Sequence, residues 1–258
     1  MSQHISFSAL KNWNQCPYYY KLTYVDKIKG FVGNHYTAFG TALHEVCETK
    51  AENPEFDDEQ NLFETAFLRE LKSLPEDVRK DIKLKDVEQM REQGKKLSVI
   101  AVPALTSHFG EFEVVSTEED LYESIENFED YNFKGFIDLV IKTPDNKYHV
   151  IDWKTCSWGW NTQKKSDPMT TYQLTYYKHF YNQKHGIPLE NIETHFALLK
   201  RTAKKDLVEV FRVTSGKRKI SNAMDLLNRA LYNIQSGKFI KNKLACSRCE
   251  FNNTPECP

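Results

Sequence analysis

The period of the apolar positions changes near residue 112, and that change divides the chain. Before it the spacing is helical. Phe39, Leu43 and Val46 recur on one face and predict a helix over 38–51. Residues 56–102 are acidic and amphipathic and predict two or three helices, with Pro75 and Pro103 as natural breaks. Further upstream, Ser6 or Ser8 is placed to cap a short helix carrying Leu10 and Trp13. Pro17, after Cys16, breaks that helix and restarts it.

After residue 112 the apolar runs shorten and read as strands. Phe112–Val115 opens the region, and 133–141 and 148–155 follow. Thr143-Pro-Asp-Asn-Lys147 lies between the last two and has turn chemistry, so they form an antiparallel hairpin. A helix is predicted over 168–184, strands near 193–200 and 207–213, and a helix over 216–236. No Gly/Ser linker and no internal repeat interrupts the pattern. The order implies an α/β core preceded by a helical part. The expected layout is one domain over 1–258. Its mainly helical part is 1–105, its sheet and following helix are 106–215, and its last helix and cysteine-rich tail are 216–258.

The hairpin carries the chemistry. Its strands read Gly135-Phe-Ile-Asp138-Leu-Val-Ile141 and Val150-Ile-Asp152-Trp-Lys154-Thr155, each with an Asp inside an apolar run. A buried carboxylate is costly unless it is paired or binds a metal. Asp152 and Lys154 are two apart and share a face, and Asp138 on the neighbouring strand brings a third charge to them. Two carboxylates suit a hard cation such as Mg2+. Such an ion stabilises charge on a phosphate and lowers the pKa of a bound water, while a lysine beside it offsets developing charge. An isolated D-x-K is more often a structural ion pair; the second Asp at hairpin spacing is what favours phosphodiester hydrolysis.

These segments resemble the core of the PD-(D/E)XK nuclease superfamily, and more narrowly its RecB-like branch, which includes exonuclease V-type enzymes and the nucleases of CRISPR adaptation. Three further segments resemble that branch in order: Ser8-Ala-Leu through Cys16-Pro17, Phe39-Gly-Thr-Ala-Leu-His44, and Gln173-Leu-Thr-Tyr-Tyr177. Where the superfamily often has Pro before its leading acid, this chain has Ile137. The resemblance implies a restriction-endonuclease-like fold: a central mixed β-sheet flanked by helices, with an N-terminal helical subdomain and a cysteine-rich C-terminal tail. It implies Mg2+ or Mn2+ held by His44, Asp138, Asp152 and the main-chain carbonyl of Trp153. Lys154 would be the catalytic lysine, with Gln173 and Tyr177 lining the site. An additional glutamate is expected on the preceding strand, where Glu118, Glu119 and Glu123 compete. Glu48, four residues after His44, is either an outer partner of that histidine or a solvated surface group.

Six cysteines occur. Cys246-Ser-Arg-Cys249, followed by Cys257, has the spacing of metal or cluster ligation. The resemblance supplies Cys16 as the fourth thiolate and a 4Fe–4S cluster as the ligand; Zn2+ is the alternative that four thiolates also fit. Cys47 and Cys156 read as small apolar residues.

The net charge of −1 conceals an asymmetry. Residues 200–258 carry 13 basic against 5 acidic residues, whereas the rest of the chain is acidic. That points to a nucleic-acid partner or to solvated helix faces. Lys200, Arg201, Lys204 and Lys205 in a predicted turn, and Lys217, Arg218 and Lys219 at a helix start, are candidates for phosphate contacts. Trp153, Trp158 and Trp160 either stack on bases or pack in the core. The chain has no phosphate-binding loop for a helicase motor, no zinc finger, no membrane-length apolar run and no signal-peptide pattern. The expectation is a cytoplasmic DNA exonuclease of a bacterial or phage-infected cell, acting on single strands or ends. It would work alone or with helicase, recombination or replication proteins. A CRISPR-adaptation-type trimming nuclease in a complex and a non-catalytic DNA-binding protein on the same fold are the alternatives.

Overall fold

In the computed structural model, residues 3–258 are described, the side chain of Arg248 apart. Strand β1 is Gln3–Ser6, followed by helix α1 (Phe7–Gln15). Ser6 caps α1 by accepting from the Ala9 amide at 3.2 Å, a contact that stabilises a helix start by about 1 kcal/mol. Cys16 is extended, as the residue before a proline must be. Pro17 then opens α2 (Pro17–Tyr20), which continues as a π-helical turn over Lys21–Val25.

Helix α3 (His35–Glu52) begins earlier than its apolar spacing predicts. Asn34 accepts from Tyr36 and Thr37, and Thr37 answers the Asn34 amide, so the cap adds a polar first turn. Next come α4 (Glu59–Ser73), α5 (Glu76–Lys80), α6 (Leu84–Ser98) and α7 (Ala101–Phe109). Pro103 does not break a helix; it sits in the first turn of α7, where its missing N–H has no partner to lose.

The sheet is built from β1 with β2 (Glu113–Ile125), β3 (Phe128–Lys142), β4 (Tyr148–Cys156), β5 (Ile192–Lys200) and β6 (Val208–Val213). Helices α8 (Thr162–Ser166) and α9 (Pro168–His185) lie between β4 and β5, and α10 (Lys217–Gln235) follows β6. The sheet is mixed: β1–β3 and β4–β5 are parallel, and the other pairs are antiparallel. The β3–β4 hairpin and the Thr143–Lys147 turn match the sequence expectation. Strand β1 does not follow from the sequence, because four residues show no usable alternation. Lys200 closes β5 instead of opening a turn.

One apolar cluster packs α1, α9 and α10 on one face of the sheet; a second packs α3, α4, α6 and α7 on the other. The result is a restriction-endonuclease-like core of a mixed sheet between helices. No described helix is long and apolar enough to cross a membrane.

Strand β3 organises the sheet. Strand β2 runs along one side of it from end to end. The other side is shared: β1 pairs with Tyr131–Lys134, and β4 pairs only from Leu139 to Lys142. Beyond Ile151, β4 leaves β3 and continues along β5 to Cys156. The sheet therefore opens into a fork beside residues 135–138.

Within the second cluster, Gly94 of α6 lies directly on the Phe63 ring, which leaves no space for a Cβ. Gly94→Ala should gain about 1 kcal/mol of helix propensity and lose about 1–3 kcal/mol to overpacking. A net fall in the urea midpoint is expected, and it should vanish in a Phe63→Leu background. An unchanged midpoint for the single variant would show that this contact is not tight.

Candidate active site

The fork leaves the Trp153 amide without a backbone partner on β3, and the Asp138 side chain supplies one. Its Oδ2 accepts from Trp153 N–H at 2.7 Å. From α3, His44 Nδ1 approaches the same oxygen at 3.5 Å. Asp152 and Lys154 alternate with Trp153 along β4. Trp153 points into the α3–α7 cluster and is 2% exposed, so Asp152 and Lys154 face α9. Lys154 Nζ lies 2.6 Å from Asp152 Oδ2. Gln173 of α9 donates from Nε2 to Asp152 Oδ1 at 2.8 Å and to Tyr177 Oη at 3.1 Å. Asp138, Asp152, Lys154, His44, Gln173 and Tyr177 thus converge, although they come from four elements.

Burial disfavours charge on every member of this set, and the neighbours decide the outcome. For Asp138, burial raises the carboxyl, but His44, Lys154 and the Trp153 amide outweigh it and hold the group below the usual carboxylate range. For Asp152, burial wins, Lys154 opposes it and Asp138 reinforces it, so the net shift is upward. Burial would lower His44 and Lys154, yet the two aspartates raise both. Asp138 is thus shifted toward its charged form and Asp152 away from it, while His44 and Lys154 are shifted toward theirs.

Of the three glutamates, the structure brings Glu118 to the site. A ligand oxygen of Glu118, one of Asp138 and a His44 ring nitrogen all lie within 4.8 Å of one another. The register explains the choice. Thr117 faces Leu139 and Glu119 faces Ile137, which puts residue 118 opposite Asp138. An irregularity between Val114 and Ser116 shifts that register, and Glu118 itself has φ +43°. Glu119 is instead bound to Lys184 at 2.7 Å and His185 at 2.9 Å. Glu123 faces Phe133, well along β3. Glu48 makes no hydrogen bond to His44 among the described residues; burial, Glu52, Glu45 and Asp138 raise its carboxyl, and the nearby His44 lowers it.

The basic candidates separate. Lys200 is buried and ion-paired with Glu209 at 3.5 Å, which removes it from the list of free phosphate contacts. Arg201 stacks over Tyr36 at 4.9 Å and Phe39 at 5.5 Å. Lys204 and Lys205 are exposed. Trp153 is a core residue, and Trp160 packs on Phe196 and Phe211. Trp158 stays 79% exposed just past β4. Lys11 of α1 did not stand out in the sequence. It is lowered by burial and then by Lys154 and Lys164, so its charge reaches the site.

Cys16, Cys246, Cys249 and Cys257 line one cavity of about 270 Å³, with Tyr19 and Phe251 in its wall. The Asn242 amide donates to Cys16 Sγ at 3.4 Å, which ties the first helical segment to the tail.

The model of the PD-(D/E)XK nuclease superfamily matches residues 4–254. The chain belongs to the PD-(D/E)XK nuclease superfamily. Nucleases of this superfamily generally use Mg2+ or Mn2+. A candidate exonuclease from Eubacterium rectale shares the fold with a TM-score of 0.62 at 10% identity, over 96% of this chain and 86% of that one. The solved structure of SSO0001 aligns at a TM-score of 0.42 and 13% identity, over 97% and 84% of the two chains. No curated protein sequence matches.

Gly135, in the first Asp-bearing strand, has a specific task. A Cβ there would stand 2.9 Å from Tyr177 Cε1, in a ring that is itself buried. Gly135→Ala is expected to cost about 1–3 kcal/mol by displacing that ring. Unfolding of the single and double variants with Tyr177→Ala tests this. Strongly non-additive losses are expected; additive ones would show that Gly135 does not make room for Tyr177.

Proposed function

We propose that this nuclease is a metal-dependent deoxyribonuclease that removes nucleotides from single strands or DNA ends. The observation that carries the reading is the convergence of Asp138, Asp152 and Lys154 at the β3–β4 fork, with His44 and Glu118 at its edge. The donor set fits a hard divalent cation: carboxylate oxygens and one imidazole whose ligand atoms lie within 4.8 Å of one another. Asp138, Asp152, His44, Glu118 and the Trp153 carbonyl would hold Mg2+ or Mn2+. Bound there, the ion would polarise the phosphate and make water a better nucleophile.

The chain's own groups do the rest. Asp152 holds Lys154 protonated and fixes its ammonium at the mouth of the fork, where it offsets charge on the phosphate. Gln173 acts through Asp152: its amide orients that carboxylate and is braced by Tyr177. It is a positioning residue. Lys11, Arg201, Lys204 and Lys205 would hold the DNA backbone without reading sequence, and exposed Trp158 offers a stacking surface. The exonuclease likeness of the Eubacterium rectale protein agrees with end-directed cleavage.

Labelled linear and circular single strands, incubated with Mg2+, Mn2+ or EDTA, test the reading. Linear strands should be degraded with either metal and circles left intact. Lys154→Ala and Asp138→Asn should each lose about 100-fold or more of the rate. Undiminished cleavage by Lys154→Ala would overturn the assignment, and cut circles would overturn its exonucleolytic part.

Cys16, Cys246, Cys249 and Cys257 are read as ligands of a 4Fe–4S cluster. What supports a shared ligand is that all four thiols line one cavity, and four thiolates fit such a cluster as well as Zn2+. The cluster would close a loop from the first helices to the tail and stabilise the fold. Cys249→Ser should lower the unfolding temperature and abolish broad visible absorbance. A colourless wild type holding stoichiometric Zn2+ would replace iron–sulfur with zinc, and an unchanged unfolding temperature would remove the stabilising role.

A further inference from the structure

A second group of metal-ligating side chains lies on the opposite face of the sheet from Asp152. His149 is the second residue of β4, and Glu193 and His195 stand two apart on β5, so the side chains of that pair share a face. The parallel register sets His149 against Glu193 and Ile151 against His195. His149 Nδ1 is 3.1 Å from His195 Nε2. Glu193 Oε2 is 3.9 Å from the first and 3.8 Å from the second. A tetrahedral ion with ligands at about 2.0–2.2 Å separates its donors by roughly 3.3–3.6 Å. The triangle is therefore close to ligating size as it stands.

The surroundings orient each donor. Thr143 donates its hydroxyl to Asp145 and so accepts from His149 Nε2–H at 3.1 Å. That fixes the tautomer whose Nδ1 lone pair faces the group. Metal-ligating histidines are commonly aimed in the same way, by donating their other ring N–H to an acceptor. Arg212 takes Glu193 Oε1 at 3.0 Å and leaves Oε2 for the imidazoles. Both histidines are buried, and the Phe109 ring packs on them at 4.7 and 5.0 Å. His195 Nδ1 is buried without a hydrogen-bond partner. Two imidazole nitrogens and a carboxylate oxygen thus converge on one buried point.

We propose that His149, Glu193 and His195 bind one Zn2+ ion in a structural site separate from the nuclease centre. Two imidazoles and one carboxylate select a late first-row divalent ion over Mg2+. Exposed His108, at the end of α7, has its ring 6.1 Å from that of His195 and is the nearby candidate for a fourth ligand, with water as the other. The ion would fasten the starts of β4 and β5 to the helical layer above them. His149 precedes Asp152 by three residues, about 10 Å along the strand.

The site does not depend on the nuclease reading and is tested apart from it. Crystals of the full chain grown with ZnCl2, measured at the zinc absorption edge, should show an anomalous peak within the triangle of the three side chains. In solution, the chain in excess Mg2+ should bind one more equivalent of Zn2+ than His195→Gln does, at unchanged Mg2+-dependent cleavage. The thiol tail is kept out of the count by comparison with Cys249→Ser, which should retain that equivalent. Co2+ at the site should give visible ligand-field bands that His195→Gln lacks. No peak in the triangle at saturating Zn2+, or equal stoichiometry in wild type and both His195→Gln and His149→Gln, would overturn the proposal.

Discussion

The hydrogen bond from the Trp153 amide to Asp138 Oδ2 is the constraint on which the site depends. When β4 leaves β3 after Ile151, it exposes backbone groups in a region walled by packed helices. A buried N–H without a partner costs as much as a lost hydrogen bond or more. Asp138 answers that N–H and holds the fork open. The price of opening is small because the same carboxylate then faces His44 and Glu118. A sheet that stayed closed to Cys156 would pair the Trp153 amide with β3 and leave Asp138 nothing to do.

The electrostatics follow from that geometry. Two carboxyls and a lysine in a buried fork cannot each behave as they do in water. Asp138, bonded to an amide and next to His44, takes the negative charge more readily. Asp152, buried and beside Asp138, takes it less readily and is steadied by Lys154 and Gln173. This imbalance, with Glu118 and Glu48 also raised by burial and nearby negative charge, describes a site that holds more acid than its own cations neutralise. A divalent cation would relieve it.

The hairpin and its acids were legible because strand alternation is short-range: an Asp between apolar neighbours announces itself in six residues. His44 and Gln173 were legible only through family resemblance, since each is unremarked on its own helix. Glu118 could not be picked from its rivals, because the choice turns on a register shift between Val114 and Ser116 that nothing nearby specifies. Lys200 read as a basic loop residue, yet β5 runs one residue further and Glu209 on β6 pairs with it. For Trp153 the apolar run already favours the core over a stacking surface, and the strand's face agrees. His149, Glu193 and His195 went unnoticed because they are separated by more than forty residues and meet only when β4 and β5 pair in parallel.

Strand β4 therefore carries two chemistries on its two faces. Its even positions, Asp152 and Lys154, point toward α9 and the fork; its odd positions, His149, Ile151 and Trp153, point toward the α3–α7 layer. A slip of one residue in its pairing would exchange them, placing a Trp in the fork and a charged pair in the apolar layer. The burial of Ile151 and Trp153 is thus what aims the aspartate and the lysine. Parallel pairing with β5 along the whole of β4 then fixes both faces at once.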